Sequence, residues 1–268
     1  MQVSEKLLKK CKPAKGHVLV LKSLPANMKA YGGFQWPESG AVSAPDWKPT
    51  KECGNGLHGW LWGAGDAGLR CEDDDAKWMV LSVQVDSIVD LEGKVKFPSC
   101  LIAYMGDRET AVSIIQHYAP SGTAIMFSTV TGGYGSTVTG GYGSTVTGGY
   151  GSTVTGGYGS TVTGGYGSTV TGGYGSTVTG GDRSAVTGGD RSTVTGGDRS
   201  TVTGGYGSTV TGGNDSTVTG GNDSVIIINF LDSDAHEIRR KIALVDGITI
   251  MPNTKYRLND QHEFEVVE

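Results

Sequence analysis

Polar and apolar positions alternate with a period of two along much of this chain, and from residue 132 a second period of eight is locked onto the first. The phrase Gly-Gly-x-x-Ser-Thr-Val-Thr is written twelve times between residues 132 and 227, from GGYGSTVT at 132–139 to GGNDSVII at 220–227. In a strand successive side chains face opposite ways, so Ser136 and Val138 share one side and Thr137 and Thr139 the other. The Val side is the inside. Gly-Gly and the variable pair (Tyr-Gly, Asp-Arg or Asn-Asp) supply turn chemistry at solvent-facing corners. A flexible Gly/Ser linker has no use for an apolar residue at every eighth position, so the array is an ordered repeat.

One strand and one turn cannot come back on themselves, but two octads can, which predicts a sixteen-residue coil of strand, turn, strand, turn. Twelve octads then stack as six coils at about 4.8 Å each, a flattened, two-sided parallel β-solenoid roughly 30 Å long. Each coil encloses two Val and two Ser, with the serine hydroxyls expected to be satisfied from coil to coil. The open edges at both ends of such a stack need covering. The sequence changes at both: 124–127 (AIMF) stands where GGYG is expected, and 224–231 (SVIIINFL) trades threonines for Ile, so both read as caps.

The flanks predict a small α+β domain over 1–123 and a short β cap over 232–268, with the capped solenoid at 124–231 between them. In the first, Ser4 caps a short helix that ends before Pro13, and 107–118 is an amphipathic helix with Ala111, Ile114, Ile115 and Tyr118 at helical spacing. Strands are expected at 17–22 and 77–85, with two short strands or a hairpin at 28–36 and an aromatic, apolar stretch at 56–62. In the last, short strands are expected near 241–245, 248–251, 256–258 and 264–267, with Asp246-Gly247 as a hairpin turn. The architecture is mainly β.

Composition narrows the function classes. A net charge of −5 with no long Lys/Arg run excludes an electrostatic nucleic-acid surface. No stretch approaches eighteen apolar residues, so no helix is expected to span a membrane. The N-terminus lacks an apolar signal core, so the expected location is cytoplasmic and the four cysteines, Cys11, Cys53, Cys71 and Cys100, are expected as reduced thiols. No cofactor or metal is expected. Cys53 and His58, five residues apart on a Gly-rich turn, form the one pair with nucleophile-and-base chemistry, set against a structural turn with a half-buried thiol. The acidic run 72–75 lacks the spacing of a calcium loop.

The sixteen-residue coil sorts the corner residues into two edges. One carries Tyr134, Tyr150 and Tyr166, the other Tyr142, Tyr158 and Tyr174, and each tyrosine ladder gives way to charged rungs. An exposed aromatic row of this kind is a candidate homodimer edge.

The octad GGYGSTVT resembles those of bacterial ice-nucleation proteins, which read Ala-Gly-Tyr-Gly-Ser-Thr-x-Thr, and the match covers 132–219. The resemblance implies that Thr-x-Thr rows order water and that tyrosine ladders join two solenoids. By position the candidate water- or ice-facing residues are Thr137, Thr139, Thr153, Thr155, Thr169 and Thr171 on one face, and Thr145, Thr147, Thr161, Thr163, Thr177 and Thr179 on the other. Rows continue at Thr201/Thr203 and at Thr193/Thr195 and Thr209/Thr211. This chain departs from the family in Gly for Ala at the first position, in Ala185 for one Thr, and in the shortness of its array. The stretches WPESGAVSAPDWKPTKECGNGLHGWLWGAGDA, DAKWMVLSVQV and GKVKFP resemble an uncharacterised domain found ahead of octad arrays in bacterial and prophage proteins. The ending VDGITIMPNTKYRLNDQHEFEVVE resembles that family's common ending. GLHG with an acidic stretch and a strand is similar to part of an ADP-ribosyltransferase fold, and no catalytic residue is carried over from it.

Three functions stay open at this level. The first is a rigid β-solenoid spacer or interaction protein, Thr being simply a good outward strand residue. The second is an ice-binding or weakly nucleating protein. The third is an enzyme or toxin domain built on Cys53 and His58, with the solenoid as its stalk.

Overall fold

A computed structural model describes residues 3–232 and 236–267. The chain forms two compact units, Met1–Ser128 and Thr129–Glu268.

The first unit is built on a seven-stranded antiparallel sheet. Its strands are β1 His17–Leu24, β2 Gly40–Ser43, β3 Leu57–Leu61, β4 Lys77–Gln84, β5 Val89–Asp90, β6 Val95–Phe97 and β7 Ser99–Gly106, in the order β2-β7-β4-β1-β3-β6-β5. Helix α1, Glu5–Cys11, starts at Ser4, whose Oγ accepts the Leu7 N–H. Helix α2, Arg108–Tyr118, starts at Asp107, whose carboxylate accepts the Thr110 N–H at 2.7 Å. It packs on β1, β4 and β7, burying Ala111, Val112, Ile114 and Ile115. Tyr118, expected on that apolar side, points its hydroxyl at the Leu8 carbonyl instead, donating at 2.6 Å. The opposite face of the sheet buries Val20, Met79, Leu81 and Phe97 with Trp36 and Val42. Of the hairpin expected at 28–36, the structure keeps a single antiparallel bridge between Lys29 and Gln35 around a tight turn at Tyr31–Gly33.

The segment 124–127, expected to cap the solenoid, lies in the first unit. Ile125 and Met126 are buried there, the Met126 N–H donates to the Gly63 carbonyl, and Phe127 meets Trp78 edge to face at 5.7 Å. Large apolar side chains beside the buried Trp78 gain more from that core than from a coil interior sized for Val and Ser.

The second unit is the solenoid, six coils of sixteen residues with two faces. The first face is a sheet of parallel strands running from Thr129–Thr131 through Thr145–Thr147, Thr161–Thr163, Thr177–Thr179 and Thr193–Thr195 to Thr209–Gly212 and Val225–Asp232. The second runs from Thr137–Thr139 through Thr153–Thr155, Thr169–Thr171, Ala185–Thr187 and Thr201–Thr203 to Thr217–Thr219. Each residue pairs with its own copy sixteen positions on, so Thr145 lies against Thr161 and Val146 against Val162. Val146 through Val218 are essentially inaccessible, as are the serines from Ser144 to Ser224.

Two features of the interior differ from expectation. The first glycine of each octad is not only a corner residue but faces inward. A Cβ on Gly140 would overlap Ser144 Oγ and Val146 Cγ2 of its own octad, so the coil closes only because that position has no side chain. The serines, expected to bond from coil to coil throughout, do so only in the later coils. From Ser144 to Ser176 each Oγ donates within its own octad, as Ser144 does to the Gly141 carbonyl at 2.7 Å. From Ser192 on it donates to the preceding coil, as Ser200 does to Gly181 at 3.2 Å, and accepts a serine N–H from that coil in return.

The C-terminal end is closed by antiparallel strands. Glu237–Leu244 pairs with Val225–Asp232, and Lys255–Leu258 pairs with Thr217–Thr219 and with Phe264–Val266. Ile226, Ile228, Val245, Ile250 and Tyr256 continue the valine core. The strand expected at 248–251 is a bend, and Asp246-Gly247 turns no hairpin. One carboxylate oxygen of Asp246 accepts the N–H groups of Ile248, Thr249 and Ile250 at 2.8–3.1 Å, which closes the backbone on itself before it can extend.

Candidate functional site

The solenoid faces are the most regular surface of the molecule. Outward positions of the strands from Thr137–Thr139 to Thr217–Thr219 carry Thr-x-Thr, exposed or half-exposed, except that Ala185 replaces one Thr, while the Val between them is buried. Because pairing is parallel and in register, threonines align in straight files. Thr137, Thr153 and Thr169 form one file of the second face and Thr139, Thr155 and Thr171 its neighbour. On the first face Thr145, Thr161 and Thr177 are flanked by Thr147, Thr163 and Thr179. Standard strand geometry puts the hydroxyls about 6.7 Å apart along a strand and about 4.8 Å apart between coils. Such a lattice offers alternating methyl and hydroxyl groups on a backbone that cannot flex independently at each row.

The edges carry the tyrosines. Tyr134, Tyr150 and Tyr166 stack with ring centroids 5.2 Å apart, and Tyr142, Tyr158 and Tyr174 with centroids 5.1 Å apart, the planes within 11° of parallel. Tyr134 at the start of its ladder is 82 % exposed, and Tyr150 and Tyr158 about half. Each ladder ends on an arginine: the Arg183 guanidinium lies over Tyr166 and that of Arg191 over Tyr174. Beyond them the carboxylates of Asp182, Asp190 and Asp198 accept the backbone N–H of the same corner one coil on, at 2.8–3.0 Å.

In the first unit the structure gives Cys53 a different neighbour from the one that the nucleophile-and-base alternative with His58 would need. Lys94 Nζ, not the imidazole, donates to Cys53 Sγ at 3.0 Å. That bond, aided by the nearby Lys96 charge, holds the exposed thiol below its ordinary pKa. His58 Nε2 is buried without a hydrogen-bond partner. Burial, with the charges of Lys94, Lys22 and Lys96, pushes the imidazole down to about 4. It is therefore neutral at pH 7. Lys96, the cross-strand partner of His58, is fully buried and donates to the carbonyls of Glu52 and Gly54, pinning the turn that carries Cys53. The alignment of Lys94 with Cys53 depends on β6, a strand that sequence patterning missed. All four cysteines are free thiols. Among the described residues, no group of three or more His, Cys, Asp or Glu is placed to hold a metal ion, and no helix is long and apolar enough to cross a membrane.

Comparison with known proteins divides the chain along the same line. Residues 18–114 match the family model described as a domain of unknown function, DUF7666. The repeat region is similar to ice nucleation proteins. The protein of Pseudomonas syringae pv. syringae is 38 % identical over 115 residues, 42 % of this chain and 10 % of that relative. InaU of Pantoea ananas is 37 % identical over 103 residues, 38 % of this chain and 10 % of the relative. A further Pseudomonas syringae protein is 41 % identical over 99 residues, 36 % of this chain and 9 % of its own length. The matched part of this chain thus spans about a tenth of each of these relatives. No solved structure matches the chain.

Proposed function

We propose that this repeat protein acts on water: its solenoid is a rigid scaffold whose Thr-x-Thr files hold an ordered hydration layer and bind ice, without catalysing a reaction. The observation that carries this reading is the in-register alignment of threonines on two parallel sheets, six coils deep. Thr is a good strand residue on any outward face, but strand propensity alone does not demand it at both outward positions of nearly every row. The names of the relatives matched by the repeat point the same way. Length sets the grade of activity. Six coils give a patch only about 30 Å long, enough to adsorb to ice and small for nucleation near the melting point.

The exposed tyrosine edges add a second element. Two copies laid edge to edge, joined through the ladder of Tyr150 or through that of Tyr158 on the opposite edge, bury aromatic surface that each leaves about half exposed and enlarge the threonine area. Sedimentation of the parent beside a Tyr150→Ser, Tyr158→Ser variant tests this, and a monomeric parent excludes it. For the main reading, droplet freezing and ice-crystal shaping are measured on the parent and on a Thr161→Val, Thr163→Val variant. The parent is expected to shape ice and the variant to do so less. A parent indistinguishable from buffer in both assays defeats the reading.

A further inference from the structure

We infer, resting on the water-ordering reading above, that the two threonine faces are not equivalent and that the first, built from Thr129–Thr131 to Thr209–Gly212, is the one that engages ice. Three differences between the faces carry this.

The first is continuity. On the first face both outward positions are Thr in every parallel row from Thr129–Thr131 to Thr209–Gly212. On the second face Ala185 occupies one of them, paired between Thr169 and Thr201. The missing hydroxyl falls in the interior of the array, so the longest unbroken Thr-x-Thr run on that face is Thr137–Thr139 to Thr169–Thr171.

The second is what lies beyond the last threonine. On the first face the files run in register onto Val225 and Ile227, and from these onto Leu244 and Ile242. Leu244 and Ile242 are 57 % and 54 % exposed, so their methyl groups extend the surface beyond the solenoid proper. On the second face the file of Thr219 runs onto Lys255, with Arg257 two residues along, paired to Glu265 at 2.6 Å.

The third is how these neighbours treat water. Methyl groups constrain the waters beside them without binding them, which is compatible with a layer ordered by adjacent hydroxyls. An ammonium binds its own shell tightly and orients it radially, in competition with a lattice imposed by the surface. The second face is therefore interrupted in its middle and frayed at its end by charge. On the first, every parallel row from Thr129–Thr131 to Thr209–Gly212 keeps both threonines and the files themselves end on apolar residues; Arg240, two residues along from Ile242, lies outside them.

The test compares two variants of the full chain. Thr145→Lys with Thr177→Lys places charge on exposed positions of the first face, and Thr153→Lys with Thr201→Lys does so on the second. Circular dichroism and thermal melting establish that each folds, and Thr→Ser at the same positions repeats the comparison without new charge. Freezing temperature over buffer and ice-crystal shaping are then read. The first-face variants are expected to lose the parent's effect and the second-face variants to retain it. Equal losses, or a larger loss on the second face, overturn this assignment while leaving the water-ordering reading intact. A parent with no effect on ice overturns that reading itself.

Discussion

The coils rimmed by tyrosine and the later coils rimmed mostly by Asp-Arg and Asn-Asp share one interior and one outer surface, yet they are held together differently. In the tyrosine coils the corner carries Gly at the left-handed position, as at Gly151 and Gly159 with φ of 62°, and stability at the rim comes from ring stacking. In the later coils Arg183, Arg191, Arg199, Asp215 and Asp223 take up that same left-handed conformation, with φ of 54–57°. A side chain there costs about 1–2 kcal/mol per residue. The offsetting interactions are visible: aspartate carboxylates accept backbone N–H groups from the next coil, Arg199 pairs with Asp215 at 3.6 Å, and Arg183 lies over Tyr166.

The interior changes with the rim but not octad by octad. Ser184, in the first Asp-Arg octad, still bonds within its own octad, whereas Ser208, in a Tyr-Gly octad, bonds across coils. The serine mode is therefore set by the neighbouring coils. Each later serine accepts an N–H from the coil before it, and the arrangement propagates along the stack.

The comparison implies an interior intolerant in both halves and a rim tolerant in both, and substitutions can break either half of that statement. The largest effect is expected at an inward glycine. Gly156→Ala puts a methyl onto Ser160 and Val162, and Gly204→Ala does the same near Ser208 and Val210. Both are expected to lose about 1–3 kcal/mol or more as overpacking, read as a lower midpoint in urea. If either is neutral, the coil is wider than described.

Serine separates the halves. Ser200→Ala removes the acceptor of the buried Ser184 N–H as well as a donor to Gly181, a loss of about 1–3 kcal/mol. Ser152→Ala removes one bond inside its own octad and is expected to cost about 1 kcal/mol. Equal costs contradict the two serine modes.

At the rim, Tyr158→Ala breaks two stacking contacts, to Tyr142 and Tyr174, each worth about 0.5–1.5 kcal/mol. The same measurement on Tyr206, which stacks on no other tyrosine ring in its ladder, is expected to give the smaller loss. The smallest effect is a gain. Arg183→Gly relieves a left-handed side chain and gives up one cation–π contact worth about 0.5–1 kcal/mol, so thermal melting is expected to rise slightly or stay level. A clear fall would mean that the charged rim is stabilising in itself.

The sixteen-residue pairing, the buried valines, the threonine files and the tyrosine columns were all legible in the sequence, because a strict period leaves no choice of register. The inward role of Gly140 was not, since Gly-Gly reads equally as a turn and only the width of the closed coil decides. Strand β7 escaped because Cys100, Ile102 and Ala103 are buried without regular alternation. The bend at 248–251 escaped because Ile-Thr-Ile-Met has strand propensity, and the Asp246 carboxylate overrides it. In the first unit the Cys53–His58 spacing drew attention to the right turn but the wrong partner. Sequence separation hides Lys94, which the β3–β6 pairing brings alongside.

The most direct measurement is adsorption of the fluorescently labelled, full-length chain onto a single growing ice crystal. The threonine files predict that the protein is taken up on particular crystal planes and that the Thr145→Lys, Thr177→Lys variant is excluded. A parent rejected into the surrounding liquid, like a protein with no affinity for ice, contradicts the account.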